Sequence, residues 1–491
     1  MGKCFRSADV NQALLLPPSL HDWLPEKHLA RFLVDVVEAL DLGAIYDSYE
    51  EKDGRGQAAY DPAMMVRVLL YGYCRGSYSS RKIQAKTYED VGFRYLAADE
   101  HPDHSTLAEF RQRHLEALAG LFSQALQLCQ KAGLVKLGHV AIDGSKIAGN
   151  ASKHKAMSYE RMSEAEKQLQ AEVEALLQRA TAVDAAEDEK YGKEQAGDEL
   201  PAELARRESR LAKIRAAKAE LEAEAQQKAE EKKAAAQAQI RQRQEQEART
   251  GKKVRGREPQ VTDPGQAVPD PKAQRNFTDP ESRIMPDGSH KGSFVQGYNV
   301  QIAVDEKAQV IVAAEVTQQS NDKQPLVPML EQVKQNVGTQ PQAASADNGY
   351  WSTRQVGDAR LQGIDLHVAT GKQKHGEPGK AADEYPMESS AEASLLEHMK
   401  QKLKTEAGRE LYRMRKAIVE PVFGQIKEWR GFRRFLLRGL QKVRAEWKLI
   451  CLSPTIYLSC SAPGEPCRCP KQPRGKSHAW AAKKGLAGVR R

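Results

Sequence analysis

Residues from about 158 to 250 consist mainly of Ala, Glu, Gln, Lys and Arg, with almost no Gly, Pro or β-branched residues in the helical parts. A block of this kind can only form long helices, so any sheet built by the flanking segments must accommodate a helical excursion. Met162, Leu169, Val173 and Leu176 follow seven-, four- and three-residue steps, and Leu204, Leu211, Ile214 and Leu221 repeat the pattern. The spacing predicts two helices joined by an acidic link near Asp184 to Asp198 and folded into an antiparallel hairpin. A dimerisation element and a solvated intramolecular hairpin both fit it. Lys252 to Lys272, rich in Pro and charge, reads as a linker.

Residues 1–130 read as a helical domain. His28 to Leu40 carries an apolar face at helical spacing, and Asp61 followed by Pro62 predicts a helix start running to Cys74. Ser79 looks like a further start, and Thr106 with Glu109 forms a capping-box pattern. Within 131–157, Leu137-Gly-His-Val-Ala-Ile-Asp143 is an apolar run between Gly138 and Gly144, expected as a buried strand.

The insertion and linker occupy 158–272, and strands resume in 273–452. Phe294–Val304 and Val310–Thr317 predict a hairpin, Leu326–Val337 a helix, and Ala343–Asp347 and Ile364–Ala369 two more strands. A long basic helix is expected from Leu411 to Leu452. With the insertion removed, the order is that of a mixed five-stranded α/β sheet preceded by an all-α domain.

Three acids fall at telling places in this order. Asp143 and Asp347 end strands, and Glu420 sits in a helix-prone stretch. Two carboxylates at strand ends and one on a later helix suit a pair of divalent metals acting on phosphodiesters, since hard oxygen ligands can converge on ions ~4 Å apart. Taken singly, Asp-Gly and Asp-Asn-Gly are common turn signals and Glu420 an ordinary surface acid. The charge pattern favours the functional reading. The chain carries a net +9, and Arg409 to Lys448 holds twelve Lys and Arg against four Glu. No apolar run is long enough for a membrane span, and seven scattered cysteines suggest a reducing, cytoplasmic setting.

Five segments in sequence carry a resemblance: Ala141-Ile-Asp-Gly-Ser-Lys146, Asn276-Phe-Thr-Asp-Pro-Glu-Ser-Arg-Ile284, Gly292-Ser-Phe-Val-Gln-Gly-Tyr-Asn299, Ala346-Asp-Asn-Gly-Tyr350 and Val419-Glu-Pro-Val-Phe-Gly-Gln-Ile-Lys427. With Asp103-His-Ser-Thr-Leu-Ala-Glu-Phe-Arg111 in the N-terminal domain, the chain resembles bacterial insertion-sequence transposases with an RNase H-like DDE domain. The resemblance covers roughly residues 10 to 452. It implies Asp143, Asp347 and Glu420 as catalytic and metal-holding residues, with two Mg²⁺ ions that Mn²⁺ can replace.

The family's helix pattern, Tyr, two residues, Arg, three residues, Glu, six residues, Lys, puts Arg413, Lys416, Glu420 and Lys427 at its four places. On an unbroken helix Lys416, Glu420 and Lys427 would share a narrow arc, whereas Pro421 predicts either a kink or a helix start with Glu420 as cap. Arg413, Lys416, Lys427, Arg430, Arg433 and Arg434 are expected on the DNA backbone, and Tyr350 and Trp351 on an unpaired base. Packing beneath the sheet edge is the plain alternative for the two aromatics.

The implied partners are double-stranded DNA, at element ends and target, and a second copy of the chain. No membrane is implied, and the implied setting is the bacterial cytoplasm, with nucleoid association when DNA is bound. The alternative is a decayed or domesticated DNA-binding protein without strand transfer. The tail prompts this alternative. The family commonly continues with Thr-His-Asn-Leu-x-Lys-Leu, where this chain has Ser453-Pro-Thr-Ile-Tyr-Leu-Ser-Cys460. Codons can be chosen for that stretch whose shifted frame restores the family continuation. A frame change near Leu452, leaving 453–491 disordered, is the resulting expectation.

Overall fold

The computed structural model describes residues 19–50, 58–191, 202–251, 263–287, 292–371 and 391–460. Seven helices come first: α1 (Leu29–Glu38), α2 (Gly43–Glu50), α3 (Pro62–Cys74), α4 (Ser80–Glu89), α5 (Val91–Leu96), α6 (His104–Arg113) and α7 (Leu115–Lys131). Helix α3 starts as its sequence predicts, with the Asp61 carboxylate accepting from the Ala63 and Met64 N–H groups and Pro62 in the first turn. Helix α6 is capped differently from expectation. Asp103, not Thr106, is the N-cap, and its carboxylate accepts from the Ser105 N–H at 2.8 Å.

Strands β1 (His139–Ala148) and β2 (Ala156–Ser158) precede the insertion, helices α8 (Tyr159–Tyr191) and α9 (Ala202–Thr250). The two helices fold back on each other within one chain. Met162, Leu169, Leu211, Ile214, Ala217 and Leu221 form their buried seam, and Arg215 and Lys218 reach across to Glu166. Part of the expected acidic link and of the Pro-rich linker lies outside the described residues.

Beyond it lie β3 (Gln274–Asn276), β4 (Arg283–Pro286), β5 (Phe294–Asp305), β6 (Ile311–Thr317), α10 (Leu326–Val337), β7 (Ala343–Ala346), α11 (Thr353–Val356) and β8 (Asp365–Val368). The main sheet runs β4–β5–β1–β7–β8, with β6 also paired to β5. β1 is antiparallel to β5 over its whole length and parallel to β7 over His139–Ile142. This is the expected RNase H-like mixed sheet, with one addition. The short strand β4 pairs with Phe294–Gly297, the part of β5 that extends past β6. β2 and β3 pair at the root of the insertion.

One sheet face, with Val140, Ile142 and Ala303, packs on α10 and the end of α7. The other, with Ala141, Ile147, Tyr298, Val300 and Ile302, shares a core with the N-terminal helices and the C-terminal helices. Those are α13 (Glu406–Gly424), with a π-helical turn at Gln425–Trp429, and α14 (Leu440–Cys460), whereas α12 (Ala391–Lys404) packs through Met399 on the core of the first face. No described helix is long and apolar enough to cross a membrane.

The expected single helix from Leu411 to Leu452 is therefore two. Residues 431–439 leave the helical path to lie along the end of β1, where Phe435 N–H donates to the Ala148 carbonyl at 2.9 Å. Buried Glu446 holds the Leu436 and Leu437 N–H groups. Neither proline ends its helix. Pro421 has no N–H for the Ala417 carbonyl, and the Gln309 side chain donates to it instead at 2.9 Å. Pro454 leaves the Ile450 carbonyl free, and Ser453 Oγ donates to it at 2.8 Å. Helix α14 thus continues through residues expected to be disordered, with Ser453, Thr455 and Ile456 buried. Residues 461–491 lie outside the described residues.

The hairpin core is separate from the two sheet cores, so the hairpin should behave as its own cooperative unit. Ile214→Ala should cost the hairpin about 2–4 kcal/mol. Hydrogen exchange should quicken across residues 162–191 and 202–221 and stay unchanged in β1 and β5. Equal acceleration in both would show that they unfold together.

Candidate functional site

β1 and β7 are parallel neighbours whose pairing stops at Ile142 opposite Ala346. Their next residues, Asp143 and Asp347, therefore emerge side by side at the carboxyl ends of adjacent strands. Each carboxylate is steadied by its own chain, with Gly144 N–H donating to Asp143 at 2.9 Å and Gly349 N–H to Asp347 at 2.8 Å.

Helix α13 lies across this end of the sheet and presents Arg415. Its guanidinium is buried, Nη1 stands 3.5 Å from Asp143 Oδ2, and Nε and Nη1 have no hydrogen-bond partner. The Tyr412 ring lies 5.8 Å from the guanidinium. Ser145, two residues beyond Asp143 on the same strand face, receives a hydrogen bond from Lys427 Nζ. Burial pushes the Asp143 carboxyl up to about 6, against the pull of Arg415 and with help from Asp347 and Asp322. Burial likewise lowers Lys427 from the ordinary lysine range.

The structure brings Asp143, Asp347 and Lys427 to one place. It does not bring Glu420. Glu420, Arg413 and Lys416 are exposed, on the side of α13 away from Arg415, Ile418, Val419 and Val422. The arc expected for Lys416, Glu420 and Lys427 is split, because the π turn at 425–429 re-aims Lys427 inward. Among the described residues no three His, Cys, Asp or Glu side chains gather closely enough to hold a metal ion. The Asp143–Asp347 pair has the right donor chemistry for a divalent ion, but the three-acid set is not assembled.

Other expected DNA contacts also divide. Arg433 and Arg434 are exposed, Arg433 pairing with Glu428 at 2.6 Å. Arg430 is buried, its guanidinium 4.5 Å from the Trp429 ring. Tyr350 is fully buried and donates its hydroxyl to Gln301 Oε1, so its ring cannot stack on a base. Trp351 is partly buried against the core beside α10.

Sequence reading missed Arg415, Tyr412 and Asp322. The first two had a signal. Tyr412 and Arg415 keep the Tyr, two residues, Arg spacing, with one extra residue before Glu420. Counting back from Glu420 displaced both by one.

Comparison with known families gives two matches. Residues 18–113 match a family model described as Transposase domain (DUF772), and residues 225–455 match one described as Transposase DDE domain. The chain belongs to the DDE transposases of insertion sequences. Asp143 lies between the two matched regions of this transposase, and Asp347, Glu420 and Lys427 lie inside the second. No curated protein and no solved structure matches the chain.

The raised Asp143 pKa has a consequence for the metal-free transposase. A folded-state pKa above the ordinary 3.8 means that the fold prefers the protonated acid, so stability falls as pH rises through about 4 to 6. Asp143→Asn removes the charge but keeps the shape. At pH 7.5 it should be more stable than wild type by about 2–3 kcal/mol in denaturant titrations. The difference should vanish near pH 3.5, and a variant less stable than wild type at pH 7.5 would refute this account.

Proposed function

We propose that this transposase cleaves DNA at the terminal inverted repeats of its element and joins the freed 3′ ends to a target. The observation carrying this reading is the pair Asp143 and Asp347 at adjacent parallel strand ends, faced by Arg415 and Lys427. Carboxylates so arranged supply hard oxygen donors, and the buried cations suit the negative charge of a phosphodiester. Asp143 and Asp347 would hold divalent metal, two Mg²⁺ ions or Mn²⁺ in their place, with Glu420 as the third acid. Bound metal would supply activation of water and then of a 3′ hydroxyl, and stabilisation of the leaving oxygen. Arg415, with two nitrogens lacking hydrogen-bond partners, is suited to grip a phosphate oxygen while favouring the charged form of Asp143. Lys427 steadies Ser145 beside the same place.

In this reading residues 1–130 bind the element ends, and Lys416, Arg413, Arg433 and Arg434 offer exposed cations to the DNA backbone. Pairing two ends calls for a homodimer in the DNA complex. The setting is the bacterial cytoplasm, at the nucleoid when DNA is bound.

The test is cleavage of DNA carrying the gene's own flanking ends, with Mg²⁺ or Mn²⁺, comparing wild type with Asp347→Ala and Glu420→Ala. Nicking at the ends that needs metal and falls at least about 10³-fold in both variants is expected. Salt-sensitive binding without cutting would instead favour a decayed element that only binds DNA.

A further inference from the structure

Asn299 and Gln301 are same-face neighbours on β5, and both aim their amides at one carboxylate. Asp322, in the loop between β6 and α10, accepts from Asn299 Nδ2 at 2.6 Å and from Gln301 Nε2 at 2.8 Å through Oδ1. Its other oxygen, Oδ2, lies 3.5 Å from Lys146 Nζ. Strand register puts Gly144 and Lys146 opposite Gln301 and Asn299, so all four share one face of the sheet beneath Asp322.

The space for Asp322 is made by the residues beside the two catalytic aspartates. A Cβ on Gly144 would stand 2.5 Å from Gln301 Nε2 and 3.0 Å from Asp322 Oδ1. A Cβ on Gly349 would stand 3.4 Å from Asp322 Oδ2. The Tyr350 hydroxyl completes the frame by donating to Gln301 Oε1. Asp322 is thus wedged between the backbone just after Asp143 and the backbone just after Asp347.

An acid used only to anchor its loop would need the two amides and nothing more. Asp322 has a cation as well, and the pair sits at a rim, its side chains 16% and 20% exposed. That is open enough for a backbone phosphate to reach Lys146, and dry enough for the charge to count. We propose that Asp322 is a positioning residue of the cleavage reaction, holding the Lys146 ammonium at the edge of the Asp143–Asp347 site to meet a phosphate of the bound strand. The proposal rests on the transposase reading of that site. In this role Asp322 acts through Lys146, so the two residues form one functional unit.

The test uses the full-length protein, DNA carrying the gene's own flanking ends, and single-turnover cleavage with Mg²⁺. Asp322→Asn keeps an acceptor for Asn299 and Gln301 and loses only the charge. Both Asp322→Asn and Lys146→Gln should slow cleavage by about 10²-fold, with DNA binding in EDTA and thermal melting close to wild type. The double variant should be no slower than either single one, and Lys146→Arg should recover most of the rate. Losses that multiply, or an Asp322→Asn protein that cuts as fast as wild type, would overturn the role. Should Asp322→Asn fail to fold, Lys146→Gln and its Arg rescue decide alone, and wild-type cutting by Lys146→Gln overturns the role. A wild type that binds but never cuts overturns the reading of the site and this role with it.

Discussion

Strand β1 is hydrogen-bonded along both edges, and the site exists because its two pairings have different lengths. Parallel pairing with β7 ends at Ile142, which releases Asp143 and Asp347 together at the carboxyl end of the sheet. Antiparallel pairing with β5 runs on to Ala148, so β1 continues straight past the site. Ser145 and Lys146, which point to opposite faces, then reach Lys427 on one side and Asp322 on the other. The segment 431–439 closes the end of β1 through Ala148. A one-residue slip of β1 against β5 would exchange these faces and turn Asp143 away from α13.

Once Asp143 is set there, its surroundings are in electrostatic competition. Burial and the neighbouring acids Asp347 and Asp322 oppose its charge, and the nearby Arg415 favours it. Burial wins, so the site binds a proton more tightly than an exposed acid would. A cation that replaces that proton, from solution or substrate, gains what the fold has left unbalanced. Asp347, with the Gly349 N–H in a turn at the strand end, is held by a local cap that needs no partner from α13.

The features legible in the sequence were those that local rules dictate. The Asp61–Pro62 start of α3, the β5–β6 hairpin and the helical insertion each arise from composition or period within one segment. The site aspartates were legible because short apolar runs ended in them. The break between α13 and α14 was not, since residues 431–439 leave the helix to pair with a strand almost three hundred positions earlier. The persistence of both helices through Pro421 and Pro454 depends on Gln309 and Ser453 taking the freed carbonyls. The role of Asp322 was hidden similarly, as its loop carries no pattern and its partners come from β1 and β5.

Glu420 is the sharpest case, because its orientation can be counted out along the helix. It stands five positions after Arg415, which on an α-helix places it about 140° around the axis. Arg415 faces the sheet, so Glu420 must face away. A π turn absorbs one extra residue and rotates the residues beyond it by about 100°. Here that turn lies at 425–429, after Glu420, and it returns Lys427 to the sheet side instead. Absorbed between Arg415 and Glu420, the same extra residue would leave Glu420 about 40° from Arg415, on the sheet side. The Ala417 carbonyl lies in that earlier turn and is bound by Gln309, so moving the π turn would require this hydrogen bond to give way. Bringing the three acids together by that route would re-register α13 against the β5–β6 hairpin.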